Sequence, residues 1–229
     1  FQELIIPGLI NDSYLSLLDW STQSFVAVGA GKLIYCVKGG LDTPYYANDE
    51  ASVIHVESDY EKVVASVKWN DSGGLLAAGT NDGKIQIWDP ETKQIACERI
   101  EENGFARCLA WNETILCSGC DGPITLWDIR QPPDTIWKLG EQEGNEANAP
   151  RPGSDALGLQ WSPDRQQLAS TGLDAIVNIW DLRLQNPCCT FTEHAVGQDF
   201  ESGVKALAWS PHERGLLVTG GGAEDGTLR

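Results

Sequence analysis

The chain has 229 residues and a formal net charge of −17, from 16 basic and 33 acidic residues. This acidity disfavours nucleic acid as a partner, because phosphates are bound by Lys and Arg. It suits either a basic partner surface or solubility alone. No apolar run is long enough to cross a membrane, so no membrane partner is expected. Since the sequence begins at Phe1 and contains no Met, we expect a piece of a longer protein.

The cysteine content argues against disulfides and against a metal site. Seven cysteines are an odd number, and Cys36 and Cys108 lie in apolar segments, where a reduced thiol behaves as a small hydrophobe. This usage indicates a reducing compartment. Cys117 and Cys120 have the spacing of a metal-ligand pair, but no second Cys or His pair follows at zinc-site distance. The sequence therefore predicts neither a metal nor a cofactor.

A tryptophan returns at the end of one alternating segment along the whole chain. The successive copies, spaced by 42 to 50 residues, end at Trp20, Trp69, Trp111, Trp161 and Trp209. A second Trp, followed by Asp, comes 16 to 19 residues later in three of the copies: Trp88-Asp89, Trp127-Asp128 and Trp180-Asp181. This pattern predicts an all-β fold, a WD-repeat β-propeller, and favours binding over catalysis as the function.

Each repeat has the strand order of a propeller blade. In the clearest copy, alternating strands at 64–69 and 85–88 flank an apolar segment at 75–79, as expected of a strand buried on both faces. We predict blades at 9–38, 63–100, 105–139 and 155–192, and an incomplete one at 202–229, of seven expected in the complete protein. Residues 41–58 read as a connection, and 141–154 as a flexible loop between blades.

A turn aspartate precedes the second Trp of each complete repeat by six residues, and Asp225 begins the same pattern in the last repeat. In WD repeats this Asp typically joins a hydrogen-bonded network with a His, a Ser or Thr, and the Trp. The His normally follows a Gly, and here only Glu193-His194 resembles that pair. We therefore predict that most blades are held together mainly by packing.

Several phrases closely resemble the Fizzy and Fizzy-related family, the activators of the anaphase-promoting complex. They are residues 11–21, 128–133, 192–194 together with 204–212, and 215–222. The resemblance implies a substrate-recognition activator of that ubiquitin ligase, acting in mitosis or meiosis, in the nucleus and cytoplasm. Its implied partners are subunits of the complex and substrates that carry degrons.

The resemblance also implies two degron sites, of which the first binds the destruction box between the first and last blades. A carboxylate that pairs with the Arg of this box is physically sensible, because charge-assisted hydrogen bonds are the strong ones. Asp19 is the first choice for this role and Asp12 the second. The alternative for Asp19 is a strand-end residue that only satisfies backbone groups.

The second implied site, for the Lys-Glu-Asn box, is where this chain departs from the family. The fourth-blade turn usually reads Gly-Gly-Asn-Asp, whereas here Leu173 precedes Asp174, and a Leu offers no amide hydrogen bonds. In the fifth blade Ala223 stands where the family usually has Thr, which removes a hydroxyl. We therefore expect this chain to recognise that box weakly or not at all, as a divergent family member.

Two other functions compete with the activator. The first is another WD-repeat scaffold for complex assembly, since a fold alone does not give a function. The second is a propeller enzyme. The chain has three histidines, none of them in a cluster with carboxylates, and no Gly-x-Ser-x-Gly elbow. We therefore predict a binding protein and not an enzyme.

Overall fold

The computed structural model describes residues 4–12, 14–38, 45–46, 52–55, 62–101, 104–140, 156–184, 186–194, 203–222 and 225–229. In these ranges the regular structure is entirely β, with twenty strands. Among the same residues there is accordingly no helix of the length and apolarity that a membrane crossing needs. The chain divides into two compact units, Phe1–Glu113 and Thr114–Arg229.

The first unit holds two four-stranded antiparallel sheets. Its strands are β1 (Leu4–Ile5), β2 (Leu18–Trp20), β3 (Phe25–Ala30), β4 (Leu33–Lys38), β5 (Tyr45–Tyr46), β6 (Ser52–His55), β7 (Val64–Trp69), β8 (Leu76–Thr80), β9 (Lys84–Asp89), β10 (Gln94–Ile100) and β11 (Cys108–Asn112). The sheet orders are β2-β3-β4-β6 and β7-β8-β9-β10, and β1 pairs with β5 in parallel.

The second sheet shows how the sequence pattern produces the strand order. All of β8 is buried, while β10 alternates between exposed and half-buried side chains, as an outer strand should. Trp69, Leu76 and Trp88 form its apolar face and pack with Ile34 and Cys36 of the first sheet. Burial of these large side chains is the main stabilising term between the two sheets.

The inner strands of these two sheets are joined by backbone hydrogen bonds. The Ser16 N–H donates to the Ala65 carbonyl at 2.9 Å, and the Val67 N–H donates to the Ser16 carbonyl at the same distance. Gly29 allows this close approach, because a Cβ there would lie 2.8 Å from Cγ1 of Val64. The small residue is therefore required by packing between the strands.

The second unit contains the remaining nine strands. They are β12 (Ile115–Gly119), β13 (Ile124–Asp128), β14 (Ile136–Leu139), β15 (Ala156–Trp161), β16 (Gln167–Gly172), β17 (Val177–Asp181), β18 (Cys189–Phe191), β19 (Ala206–Trp209) and β20 (Leu217–Gly220). β12, β13 and β14 pair antiparallel in chain order, β15 to β18 form a four-stranded sheet, and β19 pairs with β20.

The first sheet extends beyond the boundary that the sequence suggested. The predicted first blade ended at residue 38, and 41–58 was read as a connection. In the structure β6 pairs with β4, from Leu33 opposite His55 to Cys36 opposite Ser52, and supplies the outer strand. The predicted loop at 141–154 lies outside the described residues.

Candidate functional site

Asp19 lies in the middle of β2 and has both carboxylate oxygens occupied. Its Oδ1 accepts a hydrogen bond from Lys68 Nζ at 2.7 Å, and its Oδ2 accepts one from the Trp69 N–H at 2.7 Å. The Asp19 side chain is 15% exposed, against 42% for Lys68. These contacts hold β2 against the end of β7.

The alternation of β2 decides which side Asp19 faces. Leu18 and Trp20 are 69% and 67% exposed, and Asp19 points the opposite way, toward β7. Asp19 thus satisfies the Trp69 backbone N–H and also pairs with Lys68. The open face of β2 is apolar and does not carry the Asp19 carboxylate.

Asp12 lies before β2 and is exposed to solvent. Its Oδ1 accepts the Tyr14 N–H at 2.8 Å, and its backbone carbonyl accepts the Leu15 N–H at 3.3 Å, so the side chain is fixed by a local Asx turn. Among the described residues no cation lies at ion-pair distance from Asp12. Its second carboxylate oxygen has no partner among the residues that the structure describes.

Leu173 lies in the turn between β16 and β17 and is half-buried. A Cβ at Gly203 would lie 3.4 Å from Leu173 Cδ2 and 3.0 Å from Leu157 Cδ1, so two leucines flank a glycine here. The Gly172 carbonyl, at the start of the turn, accepts the N–H groups of Ala175 and Val204. Leu173 therefore makes this turn apolar where an Asn would make it polar.

Asp174 follows Leu173 and is exposed, with its Oδ1 accepting the Ile176 N–H at 3.0 Å. This bond fixes the turn locally. Ala223, the third residue predicted for this site, lies outside the described residues. In two other repeats the equivalent turn aspartates, Asp82 and Asp225, each pair with a basic side chain.

Asp82, the turn aspartate of the second sheet, is held by a lysine. Lys62 Nζ lies 2.6 Å from Asp82 Oδ2, and the Thr80 hydroxyl donates to Oδ1 of the same carboxylate. Burial alone would raise the pKa of Asp82, but the hydrogen bonds from Lys62 and Thr80 outweigh it and lower the pKa below its usual range. Lys62 thus takes the place of the missing histidine.

Asp225, the turn aspartate of the last repeat, is held by His194. The two side chains are 2% and 3% exposed, and Asp225 Oδ2 lies 2.6 Å from His194 Nδ1. His194 Nε2 lies 2.7 Å from Thr219 Oγ1, and the Thr227 hydroxyl donates to Asp225 Oδ2 at 2.6 Å. The bonds from Thr227 and His194 lower the pKa of Asp225 to about 2. The network predicted for His194 is confirmed.

The order of Asp225, His194 and Thr219 is that of acid, base and hydroxyl in a hydrolase triad. All three groups are buried, with Thr219 6% exposed and His194 2%. A hydroxyl at this depth does not face a substrate, so the three groups order the turn of the last repeat.

The tryptophans that follow the turn aspartates differ in their hydrogen bonds. Trp180 Nε1 donates to Ser170 Oγ at 2.8 Å inside the β15–β18 sheet. The buried indole N–H groups of Trp88 and Trp127 have no partner among the described residues. Ala78 occupies the position in β8 that Ser170 occupies in β16. The second repeat therefore lacks the serine that accepts the indole N–H in the β15–β18 sheet.

One recurring contact was not predicted from the sequence. The side chain directly before a strand-end Trp accepts a hydrogen bond from the backbone N–H of the strand-end Trp in the next sheet. Asp19 accepts the Trp69 N–H, and Gln160 accepts the Trp209 N–H through Oε1 at 3.1 Å. Trp209 Nε1 also donates to the Gln160 carbonyl at 3.1 Å. A polar side chain directly before the Trp was the available signal.

The described residues contain no group of three or more His, Cys, Asp and Glu side chains arranged to hold a metal ion. None of the seven cysteines forms a disulfide. Burial raises the pKa of Cys36 to about 12, which keeps this thiol protonated and unreactive at neutral pH.

Two family models match the chain. Residues 48–114 match the anaphase-promoting complex subunit 4 WD40 domain, and residues 152–181 and 185–229 match the WD domain, G-beta repeat. Together with the all-β sheets, these matches confirm the expected fold class, a WD-repeat β-propeller.

Named relatives align over nearly the whole chain. The B-type cell cycle switch protein ccs52B of Medicago truncatula is 37% identical over 97% of this chain and 41% of its own length. Protein FIZZY-RELATED 1 of Arabidopsis thaliana is 35% identical over 100% of this chain and 43% of its own. The APC/C activator protein CDH1 of Saccharomyces cerevisiae is 34% identical over 100% of this chain and 36% of its own.

A solved structure agrees with these relatives. A chain in the crystal structure of the mitotic checkpoint complex superposes with a TM-score of 0.80 at 34% identity, over 97% of this chain and 61% of that one. The chain thus spans about two fifths of the length of the curated relatives that it matches.

Proposed function

Because this chain belongs, over the region that it shares with those relatives, to the Fizzy and Fizzy-related family of WD-repeat proteins, we propose that it is a substrate-recognition activator of the anaphase-promoting complex. In this role it binds degrons of cell-cycle proteins and presents them to the ligase, without chemistry of its own. Its partners are subunits of the complex and degron-bearing substrates. The alignment with named activators over nearly the whole chain is the observation that carries this proposal.

The destruction box binds beside the segment that precedes β2, with Asp12 as the contact for its Arg. Asp12 is exposed and has a carboxylate oxygen without a partner among the described residues, whereas Asp19 has both oxygens occupied by Lys68 and Trp69. Binding through Asp19 would first require breaking its ion pair with Lys68. We therefore rank Asp12 above Asp19, the reverse of the order that the sequence suggested.

The Lys-Glu-Asn box is bound weakly or not at all. An Asn at the position of Leu173 would present both a carbonyl and an amide to a polar peptide, whereas Leu173 packs against Gly203 and presents methyl groups. A polar degron that docks here loses its hydrogen bonds to water without replacement. This loss supports a protein with one working degron site.

Fluorescence-anisotropy titrations with two labelled peptides test these assignments, one with a destruction box and one with a Lys-Glu-Asn box. We expect binding of the first peptide, loss of binding when its Arg is changed to Ala, and little binding of the second. Asp12→Asn should weaken binding about tenfold, the equivalent of 1.4 kcal/mol for one charge-assisted contact. Leu173→Asn should strengthen binding of the Lys-Glu-Asn peptide.

Asp19→Asn is the matched control, since it keeps the size of the side chain and removes the same charge. Its circular dichroism and thermal unfolding report any damage to the contact between β2 and β7. If Asp19→Asn abolishes binding in a folded chain while Asp12→Asn has no effect, the original order of the two residues is restored.

A second candidate function is a WD-repeat scaffold that takes part in complex assembly without activating a ligase. The match of residues 48–114 to the WD40 domain of a subunit of the same complex favours it. Binding to neither degron peptide, together with stable incorporation into a larger complex, would support the scaffold.

We also propose that the protein acts in the nucleus and the cytoplasm. The seven free thiols suit a reducing compartment. Imaging of the fluorescently tagged protein through the cell cycle tests this proposal. Confinement to a secretory organelle would contradict it.

A further inference from the structure

Two turns that begin with Ser-Pro lie next to each other in the second unit. Ser162-Pro163 follows β15, and Ser210-Pro211 follows β19. Together the turns line a cavity of about 190 Å³. Arg214 Nε from one turn lies 3.0 Å from Asp164 Oδ2 of the other. The two serines have the same sequence context, but their surroundings differ.

The hydroxyl of Ser162 is buried and both donates and accepts a hydrogen bond. It donates to Asp164 Oδ1 at 2.7 Å and accepts the Gln167 N–H at 3.0 Å. A negatively charged group on this oxygen would stand against the Asp164 carboxylate. Burial and charge therefore both oppose a phosphate on Ser162.

The hydroxyl of Ser210 is half-buried and only accepts. Its Oγ receives the N–H groups of His212 at 3.3 Å and Glu213 at 3.0 Å, and it donates to no acceptor among the described residues. The residues that follow it, 211 to 216, are all exposed. Ser210 is thus reachable from solvent, and two backbone N–H groups already point at its oxygen.

The two turns also place their charges at different positions. His212 stands at the place of Asp164, Glu213 at the place of Arg165, and Arg214 at the place of Gln166, so each turn has one carboxylate and one guanidinium, but only the first has its carboxylate two residues after the serine. The Arg214 side chain is 85% exposed and reaches Asp164 from an open position. Glu213 is the one carboxylate within this turn.

We propose that Ser210 is a phosphorylation site for a proline-directed Ser/Thr kinase and that Ser162 is not. The Ser210 Oγ forms a bond to the γ-phosphorus of ATP, the bond from that phosphorus to the bridging oxygen breaks, and ADP leaves. The hydroxyl proton passes to the base of the kinase. The new phosphate accepts the N–H groups of His212 and Glu213, and it draws the Arg214 guanidinium away from Asp164.

The test uses the native chain, ATP and a purified proline-directed kinase, with phosphosites mapped by tandem mass spectrometry. Mapping is needed because Thr43-Pro44 is a third candidate by sequence. We expect phosphorylation of Ser210 to be at least roughly tenfold faster than that of Ser162, because only the Ser210 turn is accessible without local opening. Synthetic peptides of the two turns, which have no fold, should be modified at similar rates.

A double variant, His212→Asp with Arg214→Gln, places a carboxylate two residues after Ser210, as Asp164 lies two residues after Ser162, and removes the guanidinium, so it should reduce phosphorylation of Ser210. Ser162→Ala is the matched control and should leave it unchanged. Absence of phosphate on Ser210 in the native chain overturns the proposal. Equal rates at Ser162 and Ser210 in the native chain overturn it as well.

Discussion

The turn aspartates of the second sheet and of the last repeat occupy the same place in their repeats, yet different groups hold them. Asp82 is paired with Lys62, and the two side chains are 26% and 32% exposed. Asp225 is paired with His194 in a buried network that includes Thr219, and it also accepts a hydrogen bond from the exposed Thr227 hydroxyl. A solvated ion pair contributes little to stability, whereas a buried network is costly to break.

This difference shows how a repeat can lose its histidine and still fold. In the second sheet the whole of β8 and most of β9 are buried, so apolar packing carries the stability that the network gives elsewhere. Four predictions test how strongly the two repeats differ.

The largest effect is expected for His194→Ala. It leaves Asp225 and Thr219 beside a cavity without their hydrogen bonds to His194, which should lower the free energy of unfolding by about 2–4 kcal/mol. Urea unfolding followed by tryptophan fluorescence measures this loss. His194→Gln, which keeps polar atoms near both partners, should recover part of it. A loss below about 0.5 kcal/mol would mean that the network does not support the repeat.

Ser170→Ala should have the next largest effect, a loss of about 1–3 kcal/mol, because the buried Trp180 indole N–H loses its acceptor. The Trp88 indole N–H has no such partner among the described residues. Ala78→Ser in the second sheet adds an acceptor and should therefore leave the free energy of unfolding equal or slightly higher. Thermal unfolding of both variants is the measurement. If Ala78→Ser destabilises as much as Ser170→Ala, the two positions are not equivalent.

Lys62→Met should cost only about 0.2–1 kcal/mol, as expected for a partly exposed ion pair. Part of this cost should disappear at high salt, which screens the attraction between Lys62 and Asp82 in the unmodified chain. Equilibrium unfolding at low and high ionic strength checks both points. A loss as large as that of His194→Ala would contradict the contrast between the two turns.

The last prediction concerns pH: the free energy of unfolding should fall below a pH of about 4. The pKa of Asp225 is lowered to about 2, so its ionised form is favoured in the folded state. Its contribution to stability is therefore complete above the unfolded pKa of about 4 and is lost as the pH falls toward 2. Between these pH values, the free energy of unfolding should change more steeply with pH in the unmodified chain than in Asp225→Asn. Equal slopes would show that Asp225 does not contribute.

Much of the architecture followed from the sequence because it depends on local patterns. The alternating segments that end in Trp69 and Trp209 became inner strands, and His194 was identified from its place before the last repeat. These signals depend on side-chain periodicity and on turn chemistry, which a single sequence carries.

The remaining features depend on tertiary contacts. The side of β2 that faces β7 could not be known from the alternation alone, so Asp19 was ranked above Asp12 although Lys68 and Trp69 occupy its carboxylate. The outer strand β6 was missed because it is short and follows a polar stretch. The partner of Asp82 was missed because nothing local links Lys62 to a turn that lies twenty residues further along the chain.

The proposed function of the protein is to activate the anaphase-promoting complex through a destruction-box site. The most direct measurement adds it to ligase freed of its own activators and follows ubiquitination of a destruction-box substrate. We expect ubiquitin chains on that substrate, few on the same substrate with its box Arg changed to Ala, and reduced activity with Asp12→Asn. No stimulation above the activator-free ligase would contradict the claim.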